Sequence, residues 1–153
     1  MKWKTSPRIK IYEALGCIAD KRIEINGNEA KVFSSSRGKA YSVSYDGNNS
    51  IMCNDNGSYW VGYLGYPAIA FLMLKGKIKY NSKFSEALKD ISWKDMNIKF
   101  KDDYEKTEKY VLELVSKEFN TNEFTEEINN IFEQVKKLDL DLLGKKIMPP
   151  SGY

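Results

Sequence analysis

Cys53 offers the most chemistry in this sequence. It ends the apolar run Ser50-Ile51-Met52-Cys53 and stands two residues before Asp55. A reactive thiolate needs exposure and a nearby base or cation. The chain contains no histidine, so no imidazole can activate Cys53, and its neighbours Ile51 and Met52 indicate a packed site. Cys53 therefore reads as a core thiol and Asp55 as a turn residue. The same absence removes Ser-His-Asp and Cys-His nucleophilic systems, histidine general bases and His-containing zinc sites. Adjacent carboxylates occur at Asp102-Asp103 and Glu126-Glu127, but both pairs fall where first helical turns are expected, and dipole compensation accounts for them. Gly62 and Gly65 belong to neither a Gly-x-x-x-x-Gly-Lys-Ser/Thr loop nor a Gly-x-Gly-x-x-Gly loop. The expectation is a non-enzyme with no catalytic residue and no cofactor.

Binding is the better-supplied alternative. Tyr59, Trp60, Tyr63 and Tyr66 crowd a Gly/Asn-rich segment with Val61 and Leu64. They can close a loop by packing, or offer a stacking surface to unpaired bases or a partner's side chains. Basic residues cluster as Lys75, Lys77, Lys79 and Lys83, with Arg37 and Lys39 in an expected turn. Net charge is only +3, yet residues 1–101 hold 17 Lys/Arg against 9 Asp/Glu, and residues 102–153 hold 7 against 12. The basic part suits phosphate attraction. With only Arg8, Arg22 and Arg37 among 24 basic residues, any nucleic-acid contact would be non-specific and salt-sensitive.

The elements that must position these residues follow from periodicity. Ser6-Pro7 is a helix start, and Ile9, Ile11, Tyr12, Leu15 and Ile18 predict an amphipathic helix over 7–19. Asn26-Gly27 and Asp46-Gly47 each mark a hairpin, giving a four-strand antiparallel meander over 22–53. Pro67 opens an apolar helix to about Leu74, stopped by Gly76. A short helix is expected around 86–88, capped by Ser82 or Ser85. Two helices close the chain, one from Asp102 to about Phe119, the other striped by Phe124, Ile128, Ile131, Val135, Leu138 and Leu142. The fold class is α+β, organised as 1–80, a connecting segment 81–101, and a helical region 102–147 packed on the first part.

Residues 7–79 resemble a SWIM-type zinc finger: a short helix, a hairpin, a second hairpin ending in Cys-x-Cys, a variable loop, then Cys-x-His opening an apolar helix. Cys53 matches the first ligand position, Asp55 the second, Gly65 the third and Pro67 the fourth. Only Cys53 keeps its ligand, so the resemblance implies the scaffold without the zinc, since a structural site needs four donors. The loop aromatics are the expected replacement for the metal. The family's link to DNA and protein binding implies an interaction module here.

No run approaches the ~20 apolar residues of a membrane span, and the N-terminus has no apolar signal segment. Two cysteines, Cys17 and Cys53, fit free thiols of the cytoplasm. The leading expectation is a cytoplasmic protein–protein adaptor, a monomer or weak homodimer with no membrane contact. A non-specific nucleic-acid-binding accessory protein is the alternative, and a small enzyme or ligand-binding protein comes third.

Overall fold

The apolar run after Gly65 decides the architecture. A helix that is hydrophobic on every side must be covered on every side. In the computed structural model, which describes residues 1–151, α2 (Tyr66–Leu74) is buried from Pro67 to Met73. It packs on a β-sheet, and α1 (Ile9–Ala19) packs on it in turn. The sheet runs in the order β1 (Ile23–Asn26), β2 (Glu29–Phe33), β3 (Ala40–Tyr45), β4 (Ser50–Cys53), β5 (Asp141–Leu142). Alternation sets the inward face: Ala30 and Val32 of β2 and Tyr41, Val43 and Tyr45 of β3 are buried. The Tyr45 ring meets Phe71 of α2 edge-on at 5.9 Å.

The first four strands form the antiparallel meander expected from the hairpin signals. The fifth strand was not expected. β5 pairs parallel to β4, Trp3 N donates to Leu140 O, Leu142 N donates to Met1 O, and Trp3 Nε1 donates to Ile51 O at 2.9 Å. The first residues and the segment 140–143 thus cover an edge that would otherwise present unpaired backbone groups. A two-residue strand leaves no periodic trace in a sequence.

Helical boundaries also differ. α1 begins at Ile9 with Arg8 at its N-cap, because the Ser6 hydroxyl donates instead to Leu64 O. The connecting segment 81–101 is structured as α3 (Ser82–Glu86) and α4 (Trp93–Lys99). Asn81 rather than Ser82 or Ser85 caps α3, accepting from Lys83 N at 3.0 Å. Helix α5 is shorter than expected at Tyr104–Val115, and α6 spans Thr121–Lys136. Phe124, Ile128, Ile131 and Val135 keep their stripe, but the helix stops before Leu138, and Leu142 lies in β5. The stripe faces α1, with Tyr12 and Phe124 ring centroids 5.7 Å apart. One apolar cluster runs from the sheet through α2 and α1 to α6. Among the described residues no helix is long and apolar enough to cross a membrane.

Candidate functional site

Lys10 and Glu13 lie three residues apart on α1, close enough for their side chains to meet. Tertiary packing removes this pair from the surface: Glu13 is only 2% exposed. Lys10 Nζ donates to Glu13 Oε2 at 3.0 Å, and Asn97 Nδ2 of α4 donates to Oε1 at 3.1 Å. Burial works against the Lys10 ammonium, but Glu13, with Tyr63 and Tyr104 after it, outweighs burial and raises the lysine above its ordinary value. Asn97 Oδ1 is buried with no hydrogen-bond partner.

These residues line one wall of a cavity of about 310 Å³. Tyr41 of β3 and Tyr66 at the start of α2 supply aromatic surface, and Ser34–Ser36 of the β2–β3 turn supply hydroxyls. Trp93 of α4 completes the wall. Its indole lies against Gly16, where an added Cβ would stand 2.8 Å from Nε1, and Nε1 has no acceptor. Burial, then the Asp55 and Glu13 carboxylates, push the Tyr41 hydroxyl up to about 12.

Arg22, in the link from α1 to β1, also lines the cavity and is 2% exposed. Its Nη1 donates to Phe33 O at 2.7 Å, and its guanidinium stands 5.7 Å from the Tyr66 ring centroid. Nε is 3.5 Å from Asp20 Oδ2, an ion pair without hydrogen-bond geometry, and neither Nε nor Nη2 makes a hydrogen bond. Arg8, at the other end of α1, shows what this side of a guanidinium can do: its Nε and Nη2 grip Glu108 at 2.8 and 2.7 Å.

Asp55 also lines the cavity, and around it three of the four positions where the zinc-finger resemblance puts ligands meet. Cys53 Sγ donates to Asp55 Oδ1 at 2.9 Å, and Ser58 Oγ donates to the same oxygen at 2.5 Å. Gly65 N donates to Ser58 Oγ, and Gly65 has no room for a Cβ because the Asp55 carboxylate fills that space. Pro67 is buried in the first turn of α2. Burial, and after it the Asp55 charge, raise the Cys53 thiol well above its ordinary value, so it is held as a neutral donor. Among the described residues no three Cys, Asp or Glu side chains are grouped to hold a metal ion.

The remaining candidate residues are scattered. Lys39 borders the cavity, while Lys75 reaches Gly27 O in the opposite turn of β2, roughly 16 Å away along the strand. Lys79 N and O exchange hydrogen bonds with the Gln134 side-chain amide, Lys83 lies near Glu123, and Lys77 is exposed. The aromatic loop does not pack as a unit in the metal's place. Trp60 is 67% and Val61 52% exposed, whereas Tyr63 is buried, which removes it from any binding surface. The turn explains the split: Gly57–Val61 forms a π-helical turn closed by Gly62 in the left-handed region, which points Trp60 outward. Tyr59 meets it edge-on at 4.7 Å.

Sequence reasoning missed Lys10, Glu13, Arg22, Tyr41, Trp93 and Asn97 as site residues. An acid–base pair on an amphipathic helix looks like ordinary surface, and the contact between Glu13 and Asn97 spans 84 positions. A polar residue beside the expected buried stripe was the available signal.

No curated protein and no solved structure matches the chain. The family model described as Uncharacterised conserved protein UCP014422 matches residues 3–141, and the chain belongs to that family.

Proposed function

We propose that this protein binds a small polar ligand, bearing an anionic group and a hydrogen-bond donor, in the cavity between α1, α4 and the β2–β3 turn. The observation that carries this reading is the set of buried, unbonded polar atoms on two side chains of its wall, Nε and Nη2 of Arg22 and Oδ1 of Asn97. Each buried polar group without a partner costs about 1–3 kcal/mol, and a ligand completing both sets of bonds recovers that cost. The volume suits a metabolite-sized molecule, and Tyr41 and Tyr66 offer it an apolar wall. This is the third of the functions considered from the sequence, and the cavity raises it to first. A thermal-shift panel of small carboxylates, phosphates, amines and polyols tests it. Anionic compounds carrying an N–H or O–H should raise the melting temperature of the full chain. Saturation at a hundred times Kd is worth about 2.7 kcal/mol. A panel without any stabilising compound would contradict the proposal.

The adaptor reading keeps one specific support, the outward Trp60 and Val61. Lys146 Nζ donates to Tyr59 O at 3.1 Å, and Ile147 and Met148, next in the chain, are exposed. Trp and Tyr are favoured interface anchors. Under this reading Trp60→Ala abolishes association with the protein partner while leaving the ligand-induced thermal shift unchanged.

The zinc-finger resemblance enters as a proposal about the scaffold. Its support is the meeting of Cys53, Asp55 and Gly65, with Ser58 bridging where a metal would stand in a finger. Elemental analysis should find no stoichiometric zinc, and a strong chelator should leave the melting temperature unchanged. One zinc per chain would overturn it.

A further inference from the structure

We infer that the ligand's anionic group is a phosphate monoester, seated in a second cavity that shares Arg22 and Ser35 with the inner one. This rests on the ligand-pocket reading above and assigns its chemical class. The second space, of about 420 Å³, shares Arg22 and Ser35 with the first and is otherwise lined from the α1–β1 link, Arg37 and residues 89–92. Its ionisable groups are Lys21, Arg22, Arg37 and Lys89 against Asp20 and Asp90, a surplus of two positive charges.

The carboxylates are not arranged to cancel that surplus. Asp20 Oδ1 accepts from Asp90 N at 2.7 Å, and its other oxygen only approaches Arg22 Nε. Arg37 is committed to the site's frame: its Nη2 donates to Asp20 O at 3.3 Å, and its guanidinium lies over the Phe33 ring at 5.7 Å. The Nε–Nη2 side of Arg22 is the bidentate side that matches two oxygens of one phosphate or carboxylate. A dianion matches the surplus of two, and a lone carboxylate supplies half of it. The rest of the molecule then occupies the inner cavity, where Asn97 Oδ1 awaits an N–H or O–H donor. The ligand class is therefore a phosphorylated hydroxyl or amine compound of metabolite size.

The test uses the full chain and matched pairs: adenosine 5′-monophosphate with adenosine, glucose 6-phosphate with glucose, O-phosphoserine with serine, and inorganic phosphate against chloride at equal ionic strength. Binding is followed calorimetrically and by backbone amide shifts. Inorganic phosphate should move the Ser35, Ser36 and Arg37 amides. At least one phosphorylated member should bind about tenfold or more tightly than its parent. That advantage should shrink as pH falls from about 7.5 to 5.5, where the phosphate loses its second charge. The chain has no histidine to mimic this change. Lys89→Gln, at an exposed position, should weaken the phosphorylated member and leave its parent unchanged. If carboxylates or unphosphorylated parents bind as well as phosphates, the phosphate assignment falls and the pocket reading stands. If phosphate moves no amide of the β2–β3 turn and no pair member binds, the phosphate assignment is overturned, and the broader thermal-shift panel decides the pocket.

Discussion

The carboxylate of Asp55 fills the space that a side chain on Gly65 would need. Ser58 fastens the two together, donating to Asp55 and accepting from Gly65 N at 3.0 Å. Asp55, just after β4, and Gly65, just before α2, ten positions apart, are thereby locked by side-chain and backbone polar groups. Gly65→Ala should destabilise the fold by about 1–3 kcal/mol through overpacking. The double variant with Asp55→Ala should lose less than the sum of the single losses, because removing the carboxylate makes the room. Denaturant titration of the four proteins gives the coupling; strict additivity would refute the contact.

Trp93 and Gly16 stand in a similar relation across the cavity wall. A Cβ at position 16 would lie 2.8 Å from Trp93 Nε1 and 3.1 Å from Leu88 O. Gly16→Ala has a helix-propensity gain of about 1 kcal/mol in its favour, yet it must push the indole or α1 itself aside. A net loss of about 1–2 kcal/mol is expected, with a change in Trp93 fluorescence. A more stable variant with unchanged emission would show that the indole moves freely.

Trp60 is the opposite case. Its side chain is mostly in solvent, so Trp60→Ala should alter stability by no more than about 0.5 kcal/mol. A loss of several kcal/mol on denaturant titration would mean that the π-helical turn depends on the ring.

Alkaline pH should weaken the fold before it hydrolyses or aggregates. Burial pushes the Cys17 thiol from 9.0 up to about 11, and the Tyr41 hydroxyl from 10.0 up to about 12. Both are acids that the folded state keeps neutral, so the unfolded chain gives up these protons first. Their stabilisation is complete below pH 9 and is lost as pH rises through the folded values, between about pH 9 and 12. Cys17 alone contributes on the order of 2–3 kcal/mol. Denaturation midpoints at pH 8 and 11 should differ, and Cys17→Ala should reduce the difference.

Periodicity and turn chemistry are local, and they carried the meander, the buried α2 and the stripe of α6. Asn26-Gly27 and Pro67 fix backbone geometry within a few residues of themselves. The site is not local. Arg22 acquires its role because β2 brings Phe33 O to it, and Glu13 because α4 brings Asn97; the only local trace is a polar Glu13 beside the apolar stripe of α1. The fifth strand was hidden for the same reason, since Asp141 and Leu142 pair only after the whole chain has closed. The two readings of Trp60, packed or outward, were not separable in the sequence because the same aromatic composition serves both, and only the turn closed at Gly62 decides between them.

The indole signals of a nitrogen-15-labelled sample test the ligand pocket most directly. The chain has three tryptophans in three settings: Trp3 Nε1 donates to Ile51 O, Trp60 is in solvent, and Trp93 lines the cavity with no acceptor. Titration with the compound that most raises the melting temperature should shift the Trp93 indole saturably and leave Trp3 and Trp60 in place. A saturable shift of Trp60 with Trp93 unmoved would place binding on the exposed turn and contradict the pocket.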